Sequence, residues 1–461
     1  MVEEFTREKW LEIRKVILEK IKPTQETHEK LCSIARHFAD ALNKISPTEV
    51  TVELMGSFAK GTYIRDDVDF DVFLLFPHTY PVEKMQELTF EWGKQLLEKW
   101  EVAYAQHPYL RGEYRGHHVD IVPSYMIKEG EEVKIKTAVD RTQLHTRYVL
   151  KHITEEQKDD VRILKVFLKR LGIYGAEIKT GGFSGYLCEL LIMKYGSFYD
   201  LILASRNWKY PVAIDMNGTR SERLLRTLFK NQSFIVTDPV DKRRNVAAPV
   251  STHSLSKFIT AAHIFFMNPS ADRFFETLRI MNESEVLDSI RKRETFFVLF
   301  EFDAPDRVAD ILWGEIRKTL LGIETAFDSE GFDCTHQTAE VHNGKCYMLF
   351  ELVHSRLPRA KMFEGPFVRM GSHIEKFIKE EIDNMDIFVK DERICAIRPR
   401  KFRMPNELVD VIQKDPLHYG VSRGLVNGIA KAKVYYGEDS VFKDSLYVYT
   451  KHLNRKFFFG L

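Results

Sequence analysis

The stretch MGSFAKGTYIRDDVDFDVFLLF, residues 55–76, carries four aspartates within six positions: Asp66, Asp67, Asp69 and Asp71. The last two abut Val72, Phe73, Leu74, Leu75 and Phe76, an apolar run of strand length. Strand side chains alternate between faces, so Asp69 and Asp71 share one face while Val68, Phe70 and Val72 take the other, toward a core. Adjacent carboxylates repel one another, and burying them is costly without a compensating charge. A hard divalent cation, which takes oxygen ligands, is the natural partner. Asp66 and Asp67 read instead as solvated turn residues.

Working outward, HHVDIVPSY (117–125) offers Asp120 within a second alternating, strand-like segment. Three acids on neighbouring strands suit two magnesium ions, one activating an attacking hydroxyl and one steadying a pyrophosphate leaving group. Upstream, Gly56-Ser57 lies between a short strand at 50–54 and a helical start at 57–63. Its backbone N–H groups and the Ser57 hydroxyl suit a phosphate. Gly-Ser followed by Asp-x-Asp on a strand therefore reads as a triphosphate cradle facing a metal site. GSFAKGT also has the Gly-x4-Gly spacing of a P-loop, but Thr62 directly follows Gly61 and the lysine that loop requires is missing.

The surroundings predict an α/β domain over residues 1–150. Helices are expected at 7–21 and 24–42, the strand pair above, and a helix marked by Met85, Leu88, Trp92, Leu96 and Trp100. Three short strands follow at 102–109, 110–116 and 117–125. Residues 151–275 read as mainly helical, interrupted by a strand and ordered loop at 231–247. Residues 276–461 change style. A strand, a helix and a hairpin around Asn343-Gly344 suggest a ferredoxin- or RRM-like part over about 294–355. Basic stretches follow at 355–363 and 398–405. The 461 residues hold 68 Lys and Arg against 67 Asp and Glu, so any nucleic-acid surface must be local. Five scattered cysteines without a CxxC pair argue against a disulfide framework or zinc site. The charged N-terminus and the lack of a long apolar run predict a cytoplasmic protein without membrane spans.

GSFAKGTYIRDDVDFDVFLLFP, AYAQHPY, HHVDIVPSY, AVDRT, GIYGAE, GGFSGYLCELL and DPVDKRRNVAA, in that order, resemble the archaeal, class I CCA-adding enzymes. These are tRNA nucleotidyltransferases of the polymerase-β-like superfamily. The resemblance is closest over residues 1–270. It implies an α+β multidomain fold: a palm of mixed sheet and helices, a helical central domain and a C-terminal RNA-binding region. It also implies template-independent addition of C, C and A to the tRNA 3′ end from CTP and ATP, with two Mg2+ ions.

By motif, Asp69, Asp71 and Asp120 match the metal-binding carboxylates, with Asp69 standing where relatives often carry Glu. Gly56, Ser57, Lys60, His107, His145, Lys165, Tyr174 and Arg244 match the nucleotide pocket, with Tyr186 a weaker member. Lys60 stands where an arginine is common, so charge is kept but not bidentate geometry. Arg244 matches the arginine that helps present hydrogen-bonding groups to the incoming base; the residues alone allow a salt bridge to Asp238 or Asp241. Arg356, Arg359, Lys361, Arg398, Arg400, Lys401 and Arg403 are candidates to hold the tRNA acceptor stem and adjoining arm through backbone and shape. Phe457, Phe458 and Phe459 are expected to be buried, and a homodimer is left open. A poly(A) polymerase would share the carboxylates and the Gly-Ser motif but add A alone; an RNA-binding pseudoenzyme would have no use for the three acids.

Overall fold

The computed structural model describes residues 5–104, 108–127, 137–276 and 278–454. The chain divides after residue 277 into two compact units. Phe457, Phe458 and Phe459 lie outside the described residues.

The first unit begins with helices α1 (Arg7–Ile21) and α2 (Gln25–Ile45). Thr24 starts α2 by accepting the Thr27 amide with its hydroxyl, a standard helix cap. Strand β1 (Thr51–Met55), the one-turn helix α3 (Gly56–Lys60), β2 (Asp69–Phe76), α4 (Val82–Leu96), β3 (Glu98–Tyr104), β4 (Pro108–Tyr114) and β5 (His117–Tyr125) complete the palm. The sheet order is β1-β2-β5-β4-β3. In this sheet, among the described residues, β2 and β5 pair in parallel and the other pairings are antiparallel. The alternation read from the opening stretch holds. Phe70, Val72, Leu74 and Phe76 bury one face against Phe38 and Leu42 of α2 and Met85 and Trp92 of α4. Phe73 and Leu75 pack the other face with Met55.

Two details differ from expectation. Trp100 does not close α4, which ends at Leu96; it lies in β3, where pairing with β4 outweighs helical spacing. The first of the three predicted strands also spans the join between two observed ones, since Tyr104 of β3 pairs with Pro108 of β4.

Helices α5 (Arg141–His152), α6 (Glu155–Arg170), α7 (Gly185–Tyr195), α8 (Phe198–Ser205), α9 (Glu222–Leu228) and α10 (Thr252–Met267) follow, with a parallel ribbon of β6 (Val212–Ile214) and β7 (Phe234–Val236). Their core is rich in aromatics, among them Trp10, Phe167, Phe183, Phe198, Phe258 and Phe265. Arg162 ties this part to the palm, donating to the Tyr63 and Gly61 carbonyls.

The second unit holds α11 (Glu283–Arg293), β8 (Phe296–Asp303), α12 (Ala309–Glu330), β9 (Cys334–His342) and β10 (Lys345–Leu352). It continues with β11 (Ala360–Phe367), α13 (Gly371–Glu381), β12 (Asp386–Lys390), β13 (Arg393–Pro399), α14 (Pro405–Lys414), α15 (Val426–Ala430), β14 (Lys433–Tyr436) and α16 (Leu446–Leu453). One antiparallel sheet has the order β14-β8-β10-β9 and a smaller one β11-β13-β12. Asn343 and Gly344 both take positive φ, +50° and +71°, as a two-residue hairpin turn requires. The sheet begun at 294–355 is closed only by β14, far along the chain, after the smaller sheet has been inserted. Among the described residues no helix is long and apolar enough to cross a membrane.

Candidate active site

Parallel pairing of β2 with β5 sets Asp71 directly opposite Asp120, and Asp69 opposite His118. Met55 is the partner of Asp71 on the other side, so the chain turns into Gly56 beside the carboxylates. Gly56 has φ +65°, and a Cβ there would lie 1.8 Å from Asp71 Oδ2. Glycine is thus demanded twice, by backbone conformation and by the carboxylate seated over it. Burial, then Asp120 and Asp69, push the Asp71 carboxyl up to about 6. Asp69 is also raised, by burial first and then by Asp120 and Asp67. Three mutually repelling carboxylates are the donor chemistry of a hard divalent cation, so the residues present fit one.

The geometry adds a residue that sequence reasoning passed over. Arg111 on β4 is the cross-strand partner of Asp120 and donates to both its oxygens, Nε to Oδ1 and Nη2 to Oδ2, each at 2.8 Å. That hydrogen bond holds the guanidinium pKa above its ordinary value. Among the described residues no three His, Cys, Asp or Glu side chains stand close enough together to form a ready ion cage. A signal for Arg111 was present: Arg115 and Gly116 have φ +50° and +78°, a two-residue turn, and counting back from it pairs Arg111 with Asp120.

Next to the carboxylates, α3 and the following loop meet α6 and α7. Lys60 is buried, and its ammonium lies 2.6 Å from Glu189 Oε2; the Thr62 hydroxyl donates to Glu189 Oε1 at 2.7 Å. Glu189 is fully buried and was not foreseen as a site residue. Lys165 donates to the Thr62 carbonyl at 2.9 Å, and burial pushes its ammonium down to about 8. Tyr174 and Lys165 converge over Gly185, whose added Cβ would meet Tyr174 Oη at 3.1 Å and Lys165 Cε at 3.6 Å. Burial raises the Tyr174 phenol well above its ordinary value. Ser57, also in α3, is partly buried.

A second cluster centres on Asp238, whose side chain is fully buried. Arg244 Nη1 donates to it at 3.0 Å, His145 Nε2 lies 2.9 Å away, and the Tyr186 hydroxyl donates at 3.3 Å. The His145 and Tyr186 rings stack with centroids 3.9 Å apart. Burial lowers the His145 pKa despite Asp238, favouring a neutral ring. Of the two acids open to Arg244, the nearer is Asp238; Asp241 is held by Arg141 at 3.0 Å. Lys60 lies over the Tyr186 ring at 5.9 Å, linking the two clusters. His107 falls outside the described residues.

The basic candidates of the second unit separate into two kinds. Arg398 forks onto the buried Glu381 carboxylate and lies 4.2 Å over the Phe363 ring. Arg400 donates to the Glu330 carbonyl at 2.7 Å and Lys361 to the Ser329 carbonyl at 3.1 Å. Arg403 makes a long bond to the Leu357 carbonyl, 3.4 Å. Arg356, Arg359 and Lys401 are exposed, Lys401 beside the Phe402 ring.

Family models match this chain in three places. A nucleotidyltransferase domain matches residues 35–145, the second domain of tRNA nucleotidyltransferase 159–276, and the C-terminal domain of CCA-adding enzyme 293–428. The CCA-adding enzyme of Methanocaldococcus jannaschii is 34% identical over 403 residues, 85% of this chain and 88% of that protein. That of Pyrococcus abyssi is 34% identical over 424 residues, 88% of this chain and 90% of that protein. Among solved structures, Cid1 poly(U) polymerase aligns with 15% identity and a TM-score of 0.46 over 59% of this chain and 99% of that chain, too loose a likeness to carry a conclusion. Carboxylates in register across a palm sheet thus occur in a chain whose relatives share most of its length: it belongs to the CCA-adding enzymes, the tRNA nucleotidyltransferases.

Proposed function

We propose that Asp69, Asp71 and Asp120 hold the metal of CCA addition and that the clusters around Glu189 and Asp238 bind CTP and ATP. The observation that carries this reading is the register of Asp71 against Asp120, with Gly56 left bare beneath the Asp71 carboxylate. Two magnesium ions bound there would lower the pKa of the tRNA 3′ hydroxyl and neutralise charge on the departing pyrophosphate. Ser57, Lys165 and Tyr174 bind the triphosphate and orient its α-phosphate for in-line attack. Lys60, locked by Glu189, contributes positive field and keeps Lys165 facing the phosphates.

Arg244, held by Asp238, presents fixed donors to the incoming base, with His145, Tyr186 and His107 as the other pocket residues. Without a template, such fixed groups reject G and U by leaving buried polar atoms unpaired. Residues 1–150 act as the catalytic palm and 151–275 as the helical part that completes the pocket. The second unit, whose larger sheet has the strand order of a ferredoxin- or RRM-like fold, holds the acceptor stem and adjoining arm of tRNA. Exposed Arg356, Arg359 and Lys401 touch its phosphates, while Arg398, Arg400, Lys361 and Arg403 shape that surface from below.

The test supplies purified protein with magnesium, tRNA lacking its CCA end and each labelled nucleotide in turn. Addition of C, C and then A, and no further, is expected. Open-ended A addition would instead mark a poly(A) polymerase and overturn the reading.

A further inference from the structure

Registered cross-strand partners share a face of a sheet, and four pairings in the palm join end to end. Glu101 of β3 partners Arg111 of β4, Arg111 partners Asp120 of β5, and Asp120 partners Asp71 of β2. Met55 of β1 completes the row. Arg111 therefore has an acidic residue in register on each side, Asp120 and Glu101, with Glu101 beside an irregularity in the β3–β4 pairing. It is bonded to Asp120 through both oxygens, and its guanidinium also lies 5.5 Å from the Tyr109 ring. Glu101 is exposed. A bidentate fork takes one lone pair of each oxygen and turns the carboxylate toward the guanidinium, so it competes with an ion for Asp120.

We propose that Arg111 is a positioning residue that competes with a metal ion for Asp120, and that Glu101 receives its guanidinium when Asp120 turns to the ion. This rests on the assignment of Asp120 as a metal ligand. The fork holds Asp120 oriented toward Arg111, and it loosens as the third carboxylate turns to join the other two. Glu101 lowers the cost of opening by offering the guanidinium a second anion in the same row. Metal binding that draws on Asp120 would thereby be weakened relative to binding through Asp69 and Asp71 alone.

The test titrates the full chain with Mn2+ in the presence of CTP and without RNA, following loss of the free-ion electron paramagnetic resonance signal. The Arg111 side chain is 46% exposed, so Arg111→Met is expected to fold, and its melting temperature is recorded alongside. A half-exposed ion pair is worth about 1 kcal/mol, so the weaker Mn2+ site should tighten about fivefold in Arg111→Met. Glu101→Gln, which removes the receiving anion, should loosen the same site, and Arg111→Lys should fall between Arg111→Met and wild type. Weaker or unchanged Mn2+ binding in Arg111→Met overturns the proposal, because an arginine that merely braced Asp120 would give that result. Asp120→Asn separates the premise from the inference. It should abolish the weaker site, and if both sites survive, the carboxylate assignment itself fails.

Discussion

Replacing Gly56 by alanine tests the geometry of the site with a single methyl group. The added Cβ would stand 1.8 Å from Asp71 Oδ2, where ordinary contact begins at 3.4 Å, so the carboxylate or the backbone must move by more than about 1 Å. A reacting group misplaced by that much costs on the order of 100-fold in rate, about 2.7 kcal/mol. The left-handed backbone adds its own cost, about 1 kcal/mol of stability, or roughly 2 °C in melting temperature for a unit of this size. Gly116 supplies the control: its φ is +78° but its added Cβ meets nothing within 4 Å. Gly116→Ala should therefore lose the same stability and keep its rate. The assay is single-turnover CMP addition at saturating CTP to tRNA lacking CCA, with thermal unfolding of both variants. A Gly56→Ala rate within about threefold of wild type, or an equal rate loss in Gly116→Ala, would refute the reasoning.

Further outcomes follow from other parts of the site. Asp120→Asn should lower the rate of nucleotide addition far more than it weakens CTP binding, measured by single turnover and by equilibrium titration; equal losses would count against its assignment. Glu189→Gln strands the buried Lys60 ammonium and should cost about 3 kcal/mol in a denaturant midpoint. Replacing Lys60 and Glu189 together by Met and Leu should recover much of that loss. Lys165, pushed down by burial to about 8, loses its charge above that pH. Phosphate binding favours the charged form, so CTP affinity should fall as pH rises from 8 to 9 with proton uptake on binding, and Lys165→Gln should flatten the profile. Arg359→Ala should weaken tRNA binding and lower the slope of log affinity against log salt by about one, with no change in melting. Arg398→Ala should instead lower melting, because it leaves Glu381 buried without its partner.

How far the sequence carries depends on which residues are local to one another. The face shared by Asp69 and Asp71 follows from strand alternation alone, and the Asn343-Gly344 turn announces its own hairpin. The helix at 7–21 is legible from spacing because it buries a single stripe, Trp10, Ile17 and Ile21. Arg111 was not legible as a site residue because its meaning lies in register, which only the Arg115-Gly116 turn fixes. Glu189 reads as one polar position in the apolar run GYLCELL. Its role exists only once the chain has brought Lys60 and Thr62 to it from more than a hundred residues away. Trp100 misled because its spacing from Leu96 suits a helix, whereas pairing between β3 and β4 decides its place.

The core around Glu189 carries a consequence for the whole protein. Two buried ammonium groups, Lys60 and Lys165, stand near one carboxylate, and among the described residues the hydrogen bonds of Lys165 go to neutral oxygens of Thr62. Burying a cation so placed is costly, and a triphosphate at the proposed site would supply compensating negative charge. A ligand that binds only the folded state also stabilises it by mass action, by about 2.7 kcal/mol at a hundred times its dissociation constant. On the proposed triphosphate site, then, CTP or ATP should raise the melting temperature of the first unit, and Lys165→Gln should shrink that rise.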